Sequence, residues 1–259
     1  MEQSRSLIEK EGFRIAAISY DSREKLRHFA QQYQIGFPLL SDAGSEVIRS
    51  FGILNANIDP SLRAHGVPHP VQYLVAPDGI VIRKYFVPNY QHRVAASTVA
   101  LREFGGLSER APAVILKSGA LTVQVGLATE RAFAGQEIAF FANFTLEPGW
   151  HVYGAPLPEN YTATSVIFGD PKIIRQTFEL PPATPLRFAD LGETLPVYSG
   201  SFRGVATLLL KYPLDDGKIA LAGHVRFQQC SDAICEPPES LPFELPLTLE
   251  PFLVAPQRK

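Results

Sequence analysis

Residues 121–127 read LTVQVGL, with apolar side chains at Leu121, Val123, Val125 and Leu127. Smaller or polar residues occupy the positions between them. Because successive side chains of a β-strand point to opposite faces, this period of two predicts a strand that buries one face in an antiparallel sheet. The fold of the carboxyl-terminal half of the chain is predicted from the repetition of this pattern.

Further segments of the same kind follow residue 127, three of them alternating and two of them shorter apolar runs: 138–144, 219–227, 243–249, 164–168 and 202–211. No convincing helix interrupts them. Six or more strands at turn-bounded intervals are typical of an immunoglobulin-like β-sandwich. The proline-rich stretch 180–186, LPPATPL, is expected to form a loop or an edge, since proline donates no hydrogen bond to a sheet.

A different pattern precedes residue 105. The apolar run RIAAISY at 14–20 suits a buried strand of a parallel sheet. With this run as the first strand, helical periodicity and turn residues predict the order β-α-α-β-β-α over residues 1 to about 104. We therefore predict an α/β domain over residues 1–106, a linker over 107–118 and an all-β domain over 119–259.

The composition excludes several classes of partner. The chain has 259 residues with 24 Lys+Arg and 26 Asp+Glu, a net charge of −2. Nucleic-acid binding rests on clustered basic residues, so no nucleic-acid partner is expected. No apolar run approaches the roughly 20 residues that span a bilayer, and residues 1–13 lack the apolar core of a secretory signal. We expect neither a membrane span nor a signal peptide in this chain.

The two cysteines, Cys230 and Cys235, lie in the segment QQCSDAICEPP, residues 228–238. Three interpretations compete. A static disulfide that closes so short a loop contributes about 2 kcal/mol. A zinc site would need two further ligands, for which His224 and His151 are the candidates. A redox pair would cycle between dithiol and disulfide by exchange with the thiolate of a partner.

The residues around the cysteines favour the redox interpretation. Pro237 and Pro238 cannot continue a sheet ladder, so they keep the pair at a sheet margin where a partner sulfur can approach. The negative charges of Asp232 and Glu236 would raise the pKa of a nearby thiol, which suits a centre activated by its partner. Either cysteine could be the attacking one, and we expect no cofactor and no metal.

Residues 121–249 resemble the N-terminal periplasmic domain of the thiol:disulfide interchange protein DsbD. The resemblance rests on three motifs in the order of that family: PGWHVY at 148–153, VYSG at 197–200, and the cysteine segment with its two prolines. It implies an immunoglobulin-like domain with one redox pair, here Cys230 and Cys235. In that family the pair receives electrons from a thioredoxin-like relay in the membrane and delivers them to periplasmic partners.

The same resemblance implies a cap loop whose aromatic tip shields the sulfurs. By position, the cap corresponds to residues 188–193, FADLGE. Its candidate residues are Phe188, Asp190, Leu191 and Glu193, and either Phe188 or Leu191 would be the tip.

Two aromatic residues of the PGWHVY motif, Trp150 and Tyr153, match aromatics near the active centre of the family. Ordinary packing in the core or at its rim is the alternative for both. We expect His151, which lies between them, to be a surface histidine rather than a base.

Residues 13–104 look like the second half of a peroxiredoxin, or AhpC/TSA, domain on the thioredoxin fold. Four motifs carry the resemblance: AISYDS at 17–22, FPLLSD at 37–42, GVPHP at 66–70 and APDG at 76–79. The resemblance implies that Pro70 is the cis-proline that this fold keeps beside its active site.

The peroxidatic cysteine and the first strand of that family would lie before residue 1. No cysteine occurs in residues 1–229, so peroxidase chemistry cannot originate in this half. The missing strand would lie between segments 14–20 and 71–76, and its absence would expose apolar surface. We therefore expect an incomplete thioredoxin-like domain, and a chain that is a truncated version of a longer fusion.

These observations lead to one main functional hypothesis and two alternatives. The main one is a thiol:disulfide oxidoreductase or redox relay that exchanges with a thioredoxin-like partner through Cys230 and Cys235. The first alternative is a non-catalytic interaction module with a static disulfide. The second is a fragment of an antioxidant thiol peroxidase whose reactive cysteine lies outside this chain. A lasting disulfide and the resemblance to DsbD favour the periplasm, whereas the absence of a signal peptide favours the cytoplasm. Because a truncated start would remove the weight of the missing signal, the periplasm is the leading expectation.

Overall fold

The computed structural model describes residues 1–59, 61, 65–87, 89, 91–106, 111–188 and 192–251. The chain divides into two compact units, Met1–Gly106 and Leu107–Lys259. Within the described residues, no helix has the length and apolar character needed to cross a membrane.

The first unit is a small thioredoxin-like α/β segment. After a short 3₁₀ turn at Glu2–Ser4, its elements are α1 (Arg5–Lys10), β1 (Ala17–Ser19), α2 (Arg23–Gln32), β2 (Leu39–Ser41), α3 (Glu46–Ser50), β3 (Val71–Val75), β4 (Val81–Phe86), β5 (Arg93–Val94) and α4 (Ala96–Phe104). The Ser22 hydroxyl caps α2 by accepting a hydrogen bond from the Lys25 amide. Gly105, at φ +67°, ends α4 in the left-handed conformation that suits glycine.

Strands β1 to β4 form two small sheets in the described residues. Strand β1 lies parallel to β2, and β3 pairs with β4 in an antiparallel hairpin. Both sheets leave large apolar side chains in contact with solvent, and Ile18 and Leu40 are 46% and 48% exposed. The two sheets are separate in the described residues, so β1 and β3 are not paired with each other.

Pro70 precedes β3, as the sequence predicts. The cis peptide bonds of the described residues precede Pro156 and Pro213, and the bond before Pro70 is not among them. The prediction of a cis-proline at Pro70 is therefore wrong. Trans is the lower-energy isomer even before proline.

The second unit is an immunoglobulin-like β-sandwich. Its strands are β6 (Ala113–Ser118), β7 (Leu121–Leu127), β8 (Arg131–Phe133), β9 (Gln136–Leu146), β10 (Trp150–Tyr153), β11 (Ser165–Ile167), β12 (Ile173–Glu179), β13 (Thr184–Phe188), β14 (Glu193–Ser199), β15 (Ser201–Leu210), β16 (Gly217–Phe227), β17 (Gln229–Ser231) and β18 (Glu239–Glu250). They form three sheets, in the orders β12-β15-β9-β7-β6, β11-β16-β18-β8 and β13-β14-β10-β17.

The core of the sandwich is built from the alternating residues of these strands. Val123, Val125 and Leu127 of β7 are fully buried, as their spacing predicts. The rings of Phe140 in β9 and Phe243 in β18 stack with their centroids 5.6 Å apart, so the first two sheets pack face to face. This core supports the third sheet, which carries the cysteine strand.

The predicted linker is partly a strand. Residues 113–118 form β6, which pairs with β7 along its whole length from Ala113↔Gly126 to Ser118↔Leu121. The prediction of a linker over 107–118 is therefore wrong for its second half, and residues 107–110 lie outside the described residues. Gly119, at φ +50°, makes the tight reversal between the two strands possible. The sequence does not predict this pairing because β6 is an edge strand in which no residue is fully buried.

Candidate active site

Cys230 and Cys235 form a disulfide at one edge of the third sheet. Cys230 lies in β17, and an antiparallel bridge connects it to Cys235 across a tight turn, with the two Cα atoms 4.1 Å apart. The Ser231 amide donates to the Ile234 carbonyl at 2.7 Å, and the Ser231 hydroxyl accepts from the Ile234 amide. The four intervening residues thus fold as a turn that holds the sulfurs together.

The two cysteines differ sharply in their exposure. Cys230 is fully buried, in a cluster with Tyr153, Leu195 and Val197. Cys235 belongs to the exposed class, and its neighbour Ile234 is 56% exposed. An incoming group can therefore reach Cys235, whereas Cys230 is covered by the protein.

Tyr153 contacts both sulfurs. Its hydroxyl oxygen lies 3.3 Å from Cys230 Sγ and 3.6 Å from Cys235 Sγ, and its side chain is almost completely buried. Since a disulfide has no proton, the hydroxyl is the donor. Burial raises the pKa of Tyr153, and the charge of Glu193 and the nearby Tyr161 act in the same direction. The hydroxyl therefore keeps its proton at neutral pH and can donate it to sulfur.

Phe188 and Glu193, both predicted for the cap, flank this aromatic group. The ring of Phe188 lies 5.4 Å from His151 and 6.4 Å from Tyr153, measured between centroids. Glu193 accepts a hydrogen bond of 2.9 Å from the hydroxyl of Tyr161, whose ring packs 5.1 Å from Tyr153. Glu193 thus approaches the site through Tyr161.

The other two predicted cap residues, Asp190 and Leu191, lie outside the described residues. Phe188, the other candidate for the tip, packs against the buried cluster of Tyr153, Leu195, Val197 and Cys230.

Trp150 lies next to the cysteine strand, opposite Ser231 in the ladder. Side chains alternate along a strand, so Trp150 faces the other side of the sheet from His151 and from Cys230. Trp150 is therefore near the cysteine pair along the ladder, but its side chain lies on the opposite face of the sheet from the buried sulfur.

His151 is not a surface residue. It is 4% exposed, and it lies directly opposite Cys230 in the antiparallel ladder between β10 and β17. The prediction of a surface histidine is wrong because the His151 ring lies on a face of the sheet that Tyr153 and Phe188 cover, with ring centroids 5.6 and 5.4 Å away. Burial lowers the pKa of His151, and the negative charge of Asp232 opposes that effect in part. Its position two residues before Tyr153 was the signal that both side chains share one face.

Two glutamines that the sequence interpretation did not single out hold the cysteine strand. The amide of Gln229, which is 2% exposed, accepts from the Ala120 amide at 3.0 Å and donates to the Ser118 carbonyl and to Glu239. Gln228 accepts from the Thr162 amide and donates to the Glu236 carbonyl. Together they fix the strand on both sides of Cys230.

No set of side chains suited to binding zinc occurs in the part of the chain that the structure describes. No group of three or more His, Cys, Asp and Glu side chains there is arranged to hold a metal ion. His224, one of the proposed ligands, lies on β16 opposite Pro242.

Two family models match the chain. Residues 124–246 match the N-terminal domain of thiol:disulfide interchange protein DsbD, and residues 1–84 match the AhpC/TSA family. A search of curated proteins found no match to this chain.

Among solved structures, the chain is similar to the N-terminal periplasmic domain of ScsB from Proteus mirabilis, with 17% identity and a TM-score of 0.40. That match covers 54% of this chain and 51% of the ScsB chain, so this chain spans about half of it. A second similar structure is the reduced DsbD N-terminal domain of Neisseria meningitidis, with 13% identity, a TM-score of 0.29, and coverage of 53% and 85%. The chain thus joins a segment that matches the AhpC/TSA family to a segment that matches the N-terminal domain family of thiol:disulfide interchange protein DsbD.

Proposed function

We propose that the second unit is a thiol-disulfide redox relay, in which Cys230 and Cys235 exchange electrons with a thioredoxin-like partner. The observation that carries this proposal is the asymmetry of the disulfide. Cys235 is an exposed residue, Cys230 is fully buried, and the hydroxyl of Tyr153 is within hydrogen-bonding distance of both sulfurs. The match of residues 124–246 to the DsbD N-terminal family supports the same chemistry.

In the exchange, a thiolate of the partner attacks Sγ of Cys235, the more exposed of the two cysteines. The bond between the two cysteines breaks, and its electron pair goes to Sγ of Cys230, which leaves as a thiolate. The Tyr153 hydroxyl donates a hydrogen bond to this leaving sulfur. The mixed disulfide then joins Cys235 to the partner.

The second thiolate of the partner completes the reaction by attacking the partner's own sulfur in the mixed disulfide. Cys235 is released as a thiolate, and the partner is left with a disulfide. Two electrons and two protons have then passed from the partner to the cysteine pair. The same steps in reverse would pass them on to another protein.

A purely structural disulfide is the competing function. A loop of this length contributes about 2 kcal/mol by constraining the unfolded chain. The sandwich already has a continuous apolar core that includes Val123, Val125 and Leu127. The stability of the domain therefore depends less on a cross-link. A disulfide with one exposed cysteine is also open to reduction by other thiols.

The reduction potential of the pair tests the proposal. We expect equilibrium in glutathione or dithiothreitol buffers at roughly −120 to −270 mV, the range of exchange proteins. A pair that stays oxidised well below about −300 mV would be structural and would overturn the proposal.

Trapping with a thioredoxin supplies a second test. The probe is a thioredoxin that keeps only its first active-site cysteine, activated with Ellman's reagent. Cys230→Ser, which leaves the exposed Cys235, should form a mixed disulfide quickly, and Cys235→Ser should react slowly. Failure of both variants to form it would contradict exchange with thioredoxin-like proteins.

The compartment proposed for the chain is the periplasm. A disulfide persists in an oxidising compartment, and the family matched by residues 124–246 is that of DsbD. Fractionation of cells that express the protein from its native gene tests this, with recovery in the cytoplasmic fraction as the contrary result.

A peroxidase function would need a reactive cysteine in the first unit. The chain has two cysteines, and both lie in the second unit. We therefore expect the AhpC/TSA segment of this chain to consume no peroxide, which an assay with hydrogen peroxide and a thiol reductant measures directly.

A further inference from the structure

His151 and Cys230 are direct cross-strand neighbours. In the ladder between β10 and β17 they form one opposed pair, so their side chains leave the same face of the sheet. Opposed Cβ atoms in such a pair are about 4.5–5.5 Å apart. The imidazole of His151 and the buried sulfur of Cys230 therefore extend from facing backbone positions on the same side of the sheet.

The surroundings of His151 are closed and mostly aromatic. The side chain is 96% covered by the protein, with the ring of Tyr153 at 5.6 Å and that of Phe188 at 5.4 Å. Its Nε2 atom is buried and has no hydrogen-bond partner among the described residues. Buried polar atoms normally have a partner, so this nitrogen calls for an explanation.

The oxidation state of Cys230 supplies one. A disulfide sulfur has no proton to donate and is a weak acceptor. When the disulfide opens, the two sulfurs separate beyond bonding distance, and Cys230 gains either a proton or a negative charge. In both forms it becomes a stronger partner for an imidazole nitrogen.

We propose that His151 Nε2 and Cys230 Sγ share one proton in the dithiol state, so that His151 stabilises the leaving sulfur of the exchange reaction. This inference rests on the proposed function of the pair. The buried histidine would thus form a hydrogen bond with the sulfur of Cys230, which is covered from a partner.

The electron and proton balance follows the exchange steps. When the partner thiolate bonds to Cys235 Sγ, the electron pair of the broken disulfide resides on Cys230 Sγ. The proton that pairs with this charge is the one lost by the partner thiol, and it is held between Cys230 Sγ and His151 Nε2. No other oxidant or reductant takes part.

The charges near His151 are consistent with this role. Burial favours the neutral imidazole while the disulfide is closed, and Asp232 opposes this in part. Tyr153 is protonated at neutral pH, and the carboxylate of Glu193 is bonded to Tyr161 rather than to the histidine. A thiolate at Cys230 would be a new negative charge beside the ring, which favours the imidazolium.

The titration of the Cys230 thiol tests the inference without any partner protein. Cys235→Ala leaves Cys230 as the single thiol, and its thiolate absorbance in the ultraviolet is followed against pH. Adding His151→Phe keeps an aromatic ring between Tyr153 and Phe188. This change should raise the pKa of Cys230 by about one unit or more, which is a tenfold loss of thiolate at fixed pH. His224→Phe, on an exposed position of β16, is the matched control and should leave the titration unchanged.

Equal titrations with and without His151 would overturn the inference. A variant that does not fold, judged by near-ultraviolet circular dichroism, is replaced by a measurement on the native chain. In protein labelled with ¹⁵N-histidine, reduction with dithiothreitol should shift the Nε2 resonance of His151 and raise the pH midpoint of its titration. A resonance that ignores the redox state would also overturn it.

These outcomes separate the inference from the proposed function. If the thioredoxin probe is trapped by Cys235 and the Cys230 titration ignores His151, only the role of the histidine fails. If the titration depends on His151 and no variant is trapped, the proton is shared and the exchange partner is of another kind.

Discussion

The hydroxyl oxygen of Tyr153 lies 3.3 Å from Sγ of Cys230, on a side chain that is 1% exposed. This contact joins β10 to the buried half of the disulfide. A hydroxyl in that position stabilises negative charge as it develops on the leaving sulfur.

Replacing Tyr153 with Phe should slow exchange while leaving the sandwich folded. Hydrogen bonds to charged groups contribute about 1.5–3 kcal/mol, so we expect reduction of the disulfide by dithiothreitol to slow by about tenfold to a hundredfold. Stopped-flow measurement of reduction gives the rate. Tyr161→Phe is the matched control, since its hydroxyl bonds to Glu193. Equal rates for Tyr153→Phe and the native chain would contradict this role.

The unequal exposure of the cysteines predicts unequal alkylation. In the reduced protein, iodoacetamide should modify Cys235 at least about tenfold faster than Cys230, because the latter is fully buried while the former is exposed. Mass spectrometry of peptides after short reaction times measures the ratio. Similar rates at the two positions would mean that the buried sulfur becomes accessible on reduction.

The alternating pattern around residues 121–127 predicts most of the second unit, because burial of one sheet face leaves a period of two in each strand. The cysteine spacing and the PGWHVY motif likewise direct attention to Cys230, Cys235 and Tyr153. These features are local, and each can be recognised within a dozen residues of sequence.

The features that sequence does not predict depend on which strands become neighbours. His151 packs against Phe188 of β13 and lies opposite Cys230 of β17, and these partners come from residues 184–188 and 229–231. The hydrogen bond from the Ala120 amide to Gln229 joins residues 109 positions apart. Strand β6 alternates between exposed and half-buried positions, but its sequence AVILKS has consecutive apolar residues and no period of two, so the sequence predicts a linker there.

Gln229 should be important for stability and for the position of Cys230. Its amide bonds to Ala120, Ser118 and Glu239, and replacement with Ala leaves the buried Ala120 amide without this acceptor. We expect Gln229→Ala to lower the free energy of unfolding by about 2–3 kcal/mol. Urea denaturation measures this. Gln124→Ala, which removes one exposed bond to Asn143, is the control and should change stability little. A similar small effect at both positions would be the contrary result.

Asp170 gives the second unit a defined dependence on acid. Its carboxylate bonds to Lys172 through Nζ and the backbone amide, and to the Ala222 amide at 3.1 Å. Burial alone would raise the pKa of Asp170, but these hydrogen bonds and the charge of Lys172 outweigh it and hold the pKa below its ordinary value.

A carboxylate whose pKa is lower in the folded state stabilises that state above the pKa of the unfolded chain, about 3.9 for Asp. The stabilisation is complete at neutral pH and is lost as the pH falls through the folded pKa. Asp170→Asn should therefore lower stability at pH 7 by about 1–3 kcal/mol, since the amide forms weaker bonds with the same donors. It should also flatten the loss of stability between about pH 5 and pH 2. Thermal unfolding measured at pH 7 and across this acid range, with the exposed Asp232→Asn as the control, tests both effects. If the stability of Asp170→Asn falls as steeply with decreasing pH as that of the native chain, other carboxylates cause the acid sensitivity.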